Sequence, residues 1–335
     1  MAKLQMPSFW YAEERKSNPL LSRLMWPASK LYEFGGVANR TITQERKSPI
    51  PVICVGNISI GGAGKTPTAR AIMELVQEHG KFETPCFLMR GYGGAEKGPL
   101  EVNESQHTSY SVGDEALMQS QYAPTIIARD RYAGACLAQK SGYDLIIMDD
   151  GFQNPRLKKD LSLLVVDGTF GFGNGRVFPA GPLREPVAHA LKRTQGIIVI
   201  NRNDETDLSS IAKAKQFDAH IELVNKGGPD AGKKVIAFAG IAMPEKFFNT
   251  LEENGYHLYA HHAFPDHHVY RHGDLDKIVS TAKAKNLSVI TTEKDWIRLS
   301  DHWQSKISYL KIAVALDDKF KRTLFNYLDR LVAQS

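Results

Sequence analysis

A short apolar run, Pro51–Val55, leads into the sequence Gly56-Asn-Ile-Ser-Ile-Gly-Gly-Ala-Gly-Lys-Thr66, and a helix-like segment, Pro67–Glu78, follows. A strand, a glycine-rich turn, Gly-Lys-Thr and a helix in this order are the parts of a phosphate-binding loop. Glycines let successive backbone N–H groups converge on phosphate oxygens, and the helix N-terminus adds a partial positive charge. The sequence therefore predicts a strand–loop–helix unit that binds a nucleoside triphosphate.

The residues predicted to surround the phosphates form one contiguous loop: Ser59, Ile60, Gly61, Gly62, Ala63, Gly64, Lys65 and Thr66. Lys65 is expected to reach the outer phosphates, and the hydroxyl of Thr66 is expected to bind Mg²⁺. Ser59 departs from the consensus, because a glycine normally opens the motif at this position, and Gly61 and Gly62 are expected to form the turn instead. The alternative is a glycine-rich surface turn before an ordinary helix.

The composition describes a globular protein rather than a disordered or membrane-spanning one. The chain has 335 residues, enough for two domains, and 42% of them are hydrophobic and 24% charged. Cys54, Cys86 and Cys136 stand singly in apolar segments, which predicts buried thiols in a reducing compartment. The N-terminus lacks an uninterrupted apolar run before a small-residue cleavage site. We therefore expect a cytoplasmic protein.

From residue 50 onward, apolar runs typical of strands alternate with helical patterns. The first predicted strands are Val52–Val55, Cys86–Met89, Thr125–Ala128, Leu145–Met148, Leu163–Val166 and Ile197–Ile200. The early helices between them are predicted at Thr68–Val76, Asp114–Gln121 and Tyr132–Gln139. Continuous apolar strands separated by helices favour a parallel sheet that is covered on both faces.

A turn-rich connector, Asn225–Gly232, separates a second series of elements. Its predicted strands are Val235–Ala239, His257–His261, Ser288–Thr291 and Tyr309–Val314, and its predicted helices are Glu245–Asn254, Asp274–Ala284 and Asp318–Val332. The predicted fold is α/β: a P-loop NTPase-like parallel-sheet domain, a second, smaller α/β lobe and an N-terminal amphipathic helix. The predicted bounds are 1–47 for the N-terminal segment, 48–202 for the core, 203–232 for the linker and 233–335 for the C-terminal lobe.

The N-terminal segment combines apolar, aromatic and basic residues. Its apolar residues with helical spacing are Leu20, Leu21, Leu24, Ala28 and Leu31, with Trp10, Trp26, Tyr32 and Phe34 nearby. Through Lys47 it has eight basic and four acidic residues, a surplus of +4 in a chain of net charge +5. No window reaches the ~20 apolar residues that span a bilayer, and Pro27 would kink or end a helix. The segment is either an interfacial membrane helix or a helix packed across the P-loop domain with a solvated basic face.

Asp149 and Asp150 directly follow the apolar strand Leu145–Met148. Ligands of an open parallel sheet collect at the carboxyl ends of its strands, and P-loop enzymes hold Mg²⁺ with an acidic residue at such a position. At least one of these carboxylates is therefore predicted to bind the metal, and a solvated turn is the alternative.

Arg184 and Glu185 stand side by side in a proline-framed loop. They are candidates for phosphoryl neutralisation and metal binding, although a surface ion pair is equally consistent.

Two further candidates for acid–base chemistry are less specific. Asp114 opens a predicted helix, where an N-cap is the simplest role. In the second lobe, five histidines and an aspartate fall within residues 260–272. They indicate a metal site or an acid–base site, or else a polar loop after a strand. Zinc is the weaker hypothesis, because no cysteine or spaced carboxylate nearby completes a set of four ligands.

Several motifs occur together and in one order: Gly56–Pro67, Arg90–Gly93, Gly113–Glu115, Asp149–Gln153, Gly181–Pro186, Phe264–His268 and Thr292–Asp295. Together they resemble the tetraacyldisaccharide 4′-kinase family, from about residue 9 to residue 330. The family's own loop signature is Gly-Gly-x-Gly-Lys-Thr-Pro, so the displaced glycine is part of the resemblance. The resemblance implies ATP-dependent phosphorylation of the 4′-hydroxyl of a tetraacylated glucosamine disaccharide 1-phosphate, which gives lipid IVA in lipid A biosynthesis.

The resemblance also implies roles for single residues. Lys65 and Thr66 would bind the phosphates of ATP and Mg²⁺, and Arg184 would stabilise charge around the γ-phosphate. The metal would lie at or near three acidic side chains: Asp149, Asp150 and Glu185.

For proton transfer, the resemblance turns Asp114 from a helix cap into the candidate base for the sugar hydroxyl. Its partner would be His267, chosen over His268 by motif position, and Arg131, chosen over Arg129, would be a second charge stabiliser. A dyad divided between two lobes would assemble only when they close on substrate, which limits hydrolysis of ATP by water.

The implied cofactors are ATP and Mg²⁺, and the implied partners are the acylated disaccharide lipid and the membrane surface. The N-terminal helix then becomes a peripheral anchor on the cytoplasmic face of the inner membrane. A nucleic-acid partner is not expected, since no basic and aromatic recognition module is present. No particular oligomeric state is predicted.

Two other classes of protein remain open. Asn201-Arg-Asn-Asp204 after a strand approximates the guanine motif of a regulatory GTPase, with arginine in the lysine position. A clear switch-region pattern is missing, however, and a GTPase has no use for the histidine-rich second lobe. The other class is a membrane-associated scaffold that binds ATP without a small-molecule acceptor.

Overall fold

In the computed structural model of the protein, residues 7–10, 19–224, 229 and 232–333 are described. Contacts within the chain divide it into two compact units. The small unit is Leu223–Ile312, and the large unit comprises Pro7–Glu222 and the residues from Ala313 onward. Most of the predicted connector, Asn225–Gly232, lies outside the described residues.

Strands and helices alternate along most of the chain. The strands in chain order are β1 (Val52–Gly56), β2 (Pro85–Met89), β3 (Leu100–Glu101), β4 (Thr125–Ile127), β5 (Leu145–Asp149), β6 (Leu161–Asp167), β7 (Gly196–Ile200), β8 (Gln216–Leu223), β9 (Lys234–Ala239), β10 (His257–Ala263), β11 (Ser288–Thr292), β12 (Ser308–Leu310) and β13 (Ile312–Leu316). The α-helices are α1 (Pro19–Leu24), α2 (Trp26–Ile42), α3 (Lys65–His79), α4 (Ser109–Val112), α5 (Asp114–Ser120), α6 (Arg131–Lys140), α7 (Val187–Leu191), α8 (Pro244–Glu253), α9 (His272–Ala284), α10 (Glu293–Trp296), α11 (Asp301–Gln304) and α12 (Asp318–Val332).

The sheet of the large unit has the strand order β13-β8-β7-β6-β1-β5-β2-β4-β3. Neighbouring strands from β8 to β4 are parallel, and β3 pairs antiparallel with β4. Strand β1 lies between β5 and β6, and its register pairs Val55 with Asp149. The carboxyl end of β5 therefore lies directly beside the start of the predicted phosphate loop.

Both faces of this sheet are covered, because alternate residues of each strand enter different hydrophobic cores. Ile53 and Val55 of β1 pack in one core with α3 and α12, while Val52 and Cys54 pack in the other with α6. Burial raises the pKa of the Cys54 thiol to about 12, as expected for a core cysteine.

In the small unit, the strand order is β10-β9-β11-β12, and the described pairings are all parallel. Strand β9 alternates in the same way. Val235 and Ala237 pack with the aromatic residues of α8, and Ile236 and Phe238 pack with α9. The carboxyl end of β9 leads to Gly240, which matters for the site described below.

The structure confirms the predicted α/β fold and corrects it in detail. The predicted strand Tyr309–Val314 is two strands, β12 and β13, which belong to different sheets. Lys311, which interrupts the apolar run, is the residue between the two strands, but a single polar residue does not by itself indicate that the chain changes sheet. Strand β8 lies inside the predicted linker, 203–232. Phe217 and Ala219 are buried in β8 while several of its neighbours are exposed, and this mixed pattern is a weaker strand signal than a continuous apolar run.

The last helix was predicted within the C-terminal lobe, but α12 belongs to the large unit. Phe320, Leu324 and Leu328 of α12 are buried in the same core as Ile72 and Val76 of α3. The amphipathic pattern of α12 predicted a helix with one buried face, and only the fold reveals which core that face enters.

Two serine hydroxyls bind the N-terminal helices α1 and α2 to the rest of the large unit, and the ring of Tyr32 packs edge-to-face on Phe178 with centroids 5.5 Å apart. The hydroxyl of Ser22 donates to the carbonyl of Ala180 at 2.8 Å. The hydroxyl of Ser29 donates to Val177 at 2.8 Å and accepts from the N–H of Ala180 at 3.0 Å. Apolar residues of the same helices stay exposed: Leu20 74%, Leu24 77%, Trp26 53%, Leu31 74% and Phe34 70%. None of the helices in the described ranges is long and apolar enough to cross a bilayer.

Candidate active site

The predicted phosphate loop connects β1 to α3, which begins at Lys65. Gly64 is the N-cap of α3 and has φ 80°, in the left-handed region that favours glycine. A Cβ atom on Gly64 would also lie 2.6 Å from Cδ1 of Ile200. The left-handed conformation therefore favours glycine before the lysine, as the motif predicts, and a side chain here would also have to displace the Ile200 methyl.

The segment that carries Arg184 runs alongside this loop. The N–H of Ile60 donates to Pro182 at 2.7 Å, and the N–H of Arg184 donates to Ile58 at 2.6 Å. The backbone of the phosphate loop and the proline-framed loop is thus held together by hydrogen bonds. This arrangement brings two motifs that are far apart in sequence to one place in the structure.

Asp149 is the last residue of β5 and is almost fully buried. Its Oδ2 atom accepts from Nε2 of Gln119 at 3.3 Å, and the hydroxyl of Thr66 lies near enough to oppose the rise in its pKa. Its Oδ1 atom has no hydrogen-bond partner within the described parts of the chain. Burial raises the pKa of Asp149 to about 7, and the charges of Glu115 and Asp150 add to the effect. A buried carboxylate with an unused oxygen beside a hydroxyl fits a bound cation.

Asp150 follows with φ 54° and faces two cations. Its Oδ1 atom lies 3.1 Å from NH1 of Arg184 and 3.8 Å from Nζ of Lys65. Burial alone would raise the pKa of Asp150, but these two cations hold it below its ordinary value. Asp150 therefore stays ionised and gathers Lys65 and Arg184 at the mouth of the phosphate loop.

Glu185 is buried and bound by two guanidinium groups. Both of its carboxylate oxygens accept from NH2 of Arg193, at 2.8 and 2.7 Å, and Oε2 also accepts from NH1 of Arg40 at 3.2 Å. The carboxylate thus links helix α2 to the loop that carries Arg184. Across the parts of the chain that are described, no three His, Cys, Asp or Glu side chains are grouped to hold a metal ion.

Arg131 is the first residue of α6 and is buried, whereas Arg129 is exposed. Its guanidinium donates to the carbonyl of Ala128, and burial lowers the pKa of Arg131 to about 10, helped by the charge of Arg90. Arg131 also lowers the pKa of Asp150. Of the two arginines, Arg131 is therefore the one that acts electrostatically on this group of side chains.

Asp114 is the first residue of α5, and the N-cap position belongs to Gly113. A Cβ atom on Gly113 would lie 2.3 Å from the carbonyl oxygen of Tyr92, and its φ is 91°. Because only glycine fits there, the chain turns sharply and brings Asp114 into the first turn of the helix. The structure therefore places this aspartate one residue beyond the cap that its sequence position suggested.

His267 and His268 have different surroundings in the small unit. His268 stacks on Phe264 with ring centroids 4.8 Å apart, and its Nε2 atom lies 3.1 Å from Oδ2 of Asp274. Asp274 also accepts from the backbone N–H of Arg271 at the start of α9. His268 therefore supports a helix terminus. His267 has φ 55° and lies beside cationic side chains, which favours it as the functional member of the pair.

A family model for the tetraacyldisaccharide-1-P 4′-kinase matches residues 21–329. The chain belongs to this family. Similar proteins include the tetraacyldisaccharide 4′-kinase of Methylorubrum extorquens, 44% identical over 320 residues, which cover 94% of this chain and 96% of that one. The corresponding protein of Rhodospirillum centenum is 40% identical over 333 residues, 98% of this chain and 96% of that one.

Among solved structures, the chain is similar to LpxK from Aquifex aeolicus, which was crystallised in complex with ATP. The TM-score is 0.75 and the identity 26%, with 93% of this chain and 99% of that chain covered. The match extends over both units. Membership of a kinase family therefore rests on sequence and fold together.

In this kinase, some residues around Asp149 were not predicted from the sequence. Gln119 donates to Asp149, and Gln119 in turn accepts from Nε of Arg70 at 2.7 Å. Arg70 also lies over the ring of Tyr122, 3.7 Å from its centroid. A signal existed, because Arg70 and Gln119 are polar residues on the buried faces of α3 and α5. Their partners are set by the fold and not by sequence spacing.

The guanine-motif alternative receives no support from the positions of its residues. Oδ1 of Asn201 accepts from the N–H of Ile221 in β8, and Nε of Arg202 donates to Asp218 at 2.6 Å. Oδ1 of Asn203 accepts from the N–H of Glu205 in a local turn. These side chains therefore stabilise the connection from β7 to β8.

Proposed function

We propose that the chain transfers the γ-phosphate of ATP to the 4′-hydroxyl of a tetraacylated glucosamine disaccharide 1-phosphate, in the synthesis of lipid A. The observation that carries this function is the grouping of Lys65, Arg184 and Asp150 beside the phosphate loop. Phosphoryl transfer needs positive charge around the transferred group more than it needs covalent chemistry from the protein. A phosphate loop with two convergent cations supplies that charge.

Mg²⁺ is part of this proposal, and Thr66 and Asp149 are the residues that would hold it. Their fit rests on the unused Oδ1 atom of Asp149, its raised pKa and the nearby hydroxyl of Thr66. When bound, Mg²⁺ supplies positive charge that neutralises the phosphate oxygens. Asp150 and Glu185 already accept from arginine side chains, so we give them the role of holding those arginines.

Among the protein's own groups, Lys65 and Arg184 would contact the outer phosphates and stabilise the charge that develops there. Buried Arg131 would add to this positive field without leaving its place at the start of α6. Asp114 would accept the proton of the sugar hydroxyl, with His267 as its partner. These two residues lie in different units, so their joint action is proposed from motif position and from the surroundings of each.

We also propose that the N-terminal helices bind the cytoplasmic face of the inner membrane. Support comes from the apolar residues of α1 and α2, which are exposed, whereas the serines of the same helices are hydrogen-bonded to the rest of the large unit. A helix that packed on its own protein to bury apolar surface would have the opposite orientation. An exposed apolar face with a basic surplus is typical of interfacial helices, and a lipid acceptor would be within reach there.

The test is transfer of labelled γ-phosphate from ATP to the detergent-dispersed disaccharide 1-phosphate lipid. Label is expected in the lipid, and ATP is expected to be the better donor when GTP is compared. The matched control acceptor is the same lipid already phosphorylated at the 4′ position, which should accept no label. Equal labelling of the two lipids, or nucleotide turnover independent of the acceptor, would contradict the proposal.

A further inference from the structure

The motif Thr292–Asp295 has no role in the function proposed so far, yet it lies next to His267. Its aspartate, Asp295, is fully buried and accepts four hydrogen bonds. The donors are NH1 of Arg298 at 3.0 Å, the hydroxyl of Tyr270 at 2.8 Å, the hydroxyl of Thr292 at 2.6 Å and the N–H of Gly240 at 3.0 Å. A buried carboxylate with this many donors is a fixed ionic anchor.

Arg298 connects this anchor to the histidine. Besides Asp295, its NH1 atom donates to the carbonyl of Gly240 at 3.1 Å, and its NH2 atom lies 3.3 Å from Nδ1 of His267. The arginine side chain is only 7% exposed. Since a guanidinium is planar and rigid, fixing NH1 at two points also fixes the direction of NH2.

The backbone of His267 is held at the same place. Its N–H donates to the carbonyl of Gly240 at 3.1 Å, and its φ of 55° is uncommon for a residue with a side chain. A Cβ atom on Gly240 would lie 2.7 Å from the hydroxyl of Tyr270 and 3.0 Å from Oδ1 of Asp295. The glycine at the end of β9 therefore allows backbone, anchor and histidine to meet.

We infer that Arg298, anchored by Asp295, is a positioning residue that fixes the orientation and the tautomer of His267. A guanidinium can only donate hydrogen bonds, so Nδ1 of His267 must be the acceptor. In the neutral imidazole the proton is then on Nε2, and the outward nitrogen is a donor. The inference rests on the proposed role of His267 and divides the work of the dyad between its members.

With Nε2 as a donor, His267 cannot take the proton of the acceptor hydroxyl in this state. That proton passes to the Asp114 carboxylate while the hydroxyl oxygen bonds to the γ-phosphorus. The bond from the γ-phosphorus to the bridging oxygen breaks, and ADP leaves with the electron pair. His267 contributes by donating from Nε2 to an anionic oxygen. Nζ of Lys294, which can also only donate, lies 3.4 Å from Nε2. Because the lysine stem is flexible whereas Arg298 is fixed, the ammonium turns away from the Nε2 proton and toward the same anionic oxygen.

The first test is nitrogen NMR of histidine-labelled protein, which distinguishes protonated from bare ring nitrogens. The His267 signals are identified as those absent from His267→Asn. In the wild type, neutral His267 should have its proton on Nε2, and Arg298→Met should give a mixture of both tautomers. Arg271→Met is the matched control, an exposed arginine of the same unit, and should leave these signals unchanged. An unchanged tautomer in Arg298→Met would overturn the inference.

Kinetics provide the second test. Arg298→Met should lower kcat at least tenfold and leave the KM for ATP within about twofold, and the double variant with His267→Asn should lose little more. Arg298→Lys keeps the charge beside Asp295 without the rigid fork, so it should melt near wild type yet recover little of kcat. Arg298→Lys also provides the kinetic test if Arg298→Met unfolds.

Wild-type kcat in the arginine variants, with kcat lost in His267→Asn, would refute the positioning role alone. Full kcat in His267→Asn would refute the proposed dyad itself.

Discussion

The guanidinium of Arg184 donates to the carboxylate of Asp150 across 3.1 Å. Because Lys65 lies near the same oxygen, one anion orients two cations toward the phosphate loop. An arriving phosphate group competes with Asp150 for these two cations. Because the protein already holds them in place, no reorganisation of solvent is needed to orient them. Preorganised charge of this kind is the main means by which an enzyme stabilises a phosphoryl transition state.

Lys65→Ala should therefore lower kcat by about a hundredfold or more, because the lysine stabilises charge on the outer phosphates. Arg184 still pairs with Asp150 in this variant, so thermal melting should stay near the wild type. Lys81→Ala, at an exposed lysine of the same unit, is the control. Retention of more than about a tenth of kcat in Lys65→Ala would argue against the phosphate-loop assignment.

Asp149 should make the stability of the protein depend on pH. Its pKa is 3.8 in an exposed position and about 7 in the fold, so the folded chain holds this proton more tightly than the unfolded chain. Stability should then fall as the pH rises from about 4 to about 7. Without ligands, Asp149→Asn is expected to melt about 5 °C or more above wild type at pH 8. The difference should shrink toward pH 4, as thermal melts across this range would record.

The control is Asp301→Asn, at an exposed aspartate of the small unit. Mg²⁺ with ATP should restore the stability of the wild type at pH 8 and have less effect on Asp149→Asn. A melting difference that does not change with pH would mean that the buried carboxylate is already compensated.

Asp114 and His267 are expected to act as one unit. Each alanine variant should lower kcat strongly and change the KM for ATP by only a few-fold, since neither residue is proposed to contact the nucleotide. The double variant should be far less impaired than the product of the single effects. His268→Asn is the control at a neighbouring histidine. Fully multiplicative losses would assign the two residues to separate tasks.

Glu185→Gln separates a structural role from a metal role. Glutamine cannot neutralise Arg40 and Arg193. Because both arginines are partly exposed, the free energy of unfolding, measured with urea and without Mg²⁺, should fall by only about 2 kcal/mol. The Mg²⁺ dependence of kcat should change little. Glu33→Gln, which breaks the surface pair with Lys30, should cost less. A large rise in the Mg²⁺ requirement with unchanged stability would restore Glu185 as a metal ligand.

Replacement of Leu20, Leu24 and Leu31 by glutamine should release the protein from anionic vesicles and raise the KM for the lipid acceptor. These side chains are about three-quarters exposed, so ATP affinity and melting should not change. Co-sedimentation at two salt concentrations separates basic attraction, which salt weakens, from apolar binding, which persists. Unchanged vesicle binding with a lower melting temperature would instead mean that the helices serve the fold alone.

The sequence predicted what local pattern controls. Continuous apolar runs identified strands such as β1 and β5, and the spacing of glycines identified the phosphate loop. That Val55 and Asp149 lie close together could also be predicted, because the carboxyl ends of parallel strands meet at one edge of the sheet. Sequence could not predict that Gln119 would contact Asp149, or that Arg40 would neutralise Glu185. Such contacts depend on how distant elements pack.

The two serines of the N-terminal helices have a consequence for how such an enzyme can change over time. Ser22 and Ser29 attach the helices by hydroxyl groups, and Leu20, Leu24 and Leu31 are about three-quarters exposed, so these leucines contribute little to folding. Substitutions that change the length or polarity of the side chains at these positions can therefore adapt the protein to a different lipid composition, and they should lower its stability little. The serines themselves have no such freedom, because a bulky side chain at either position would lift the helix from the loop that carries Arg184.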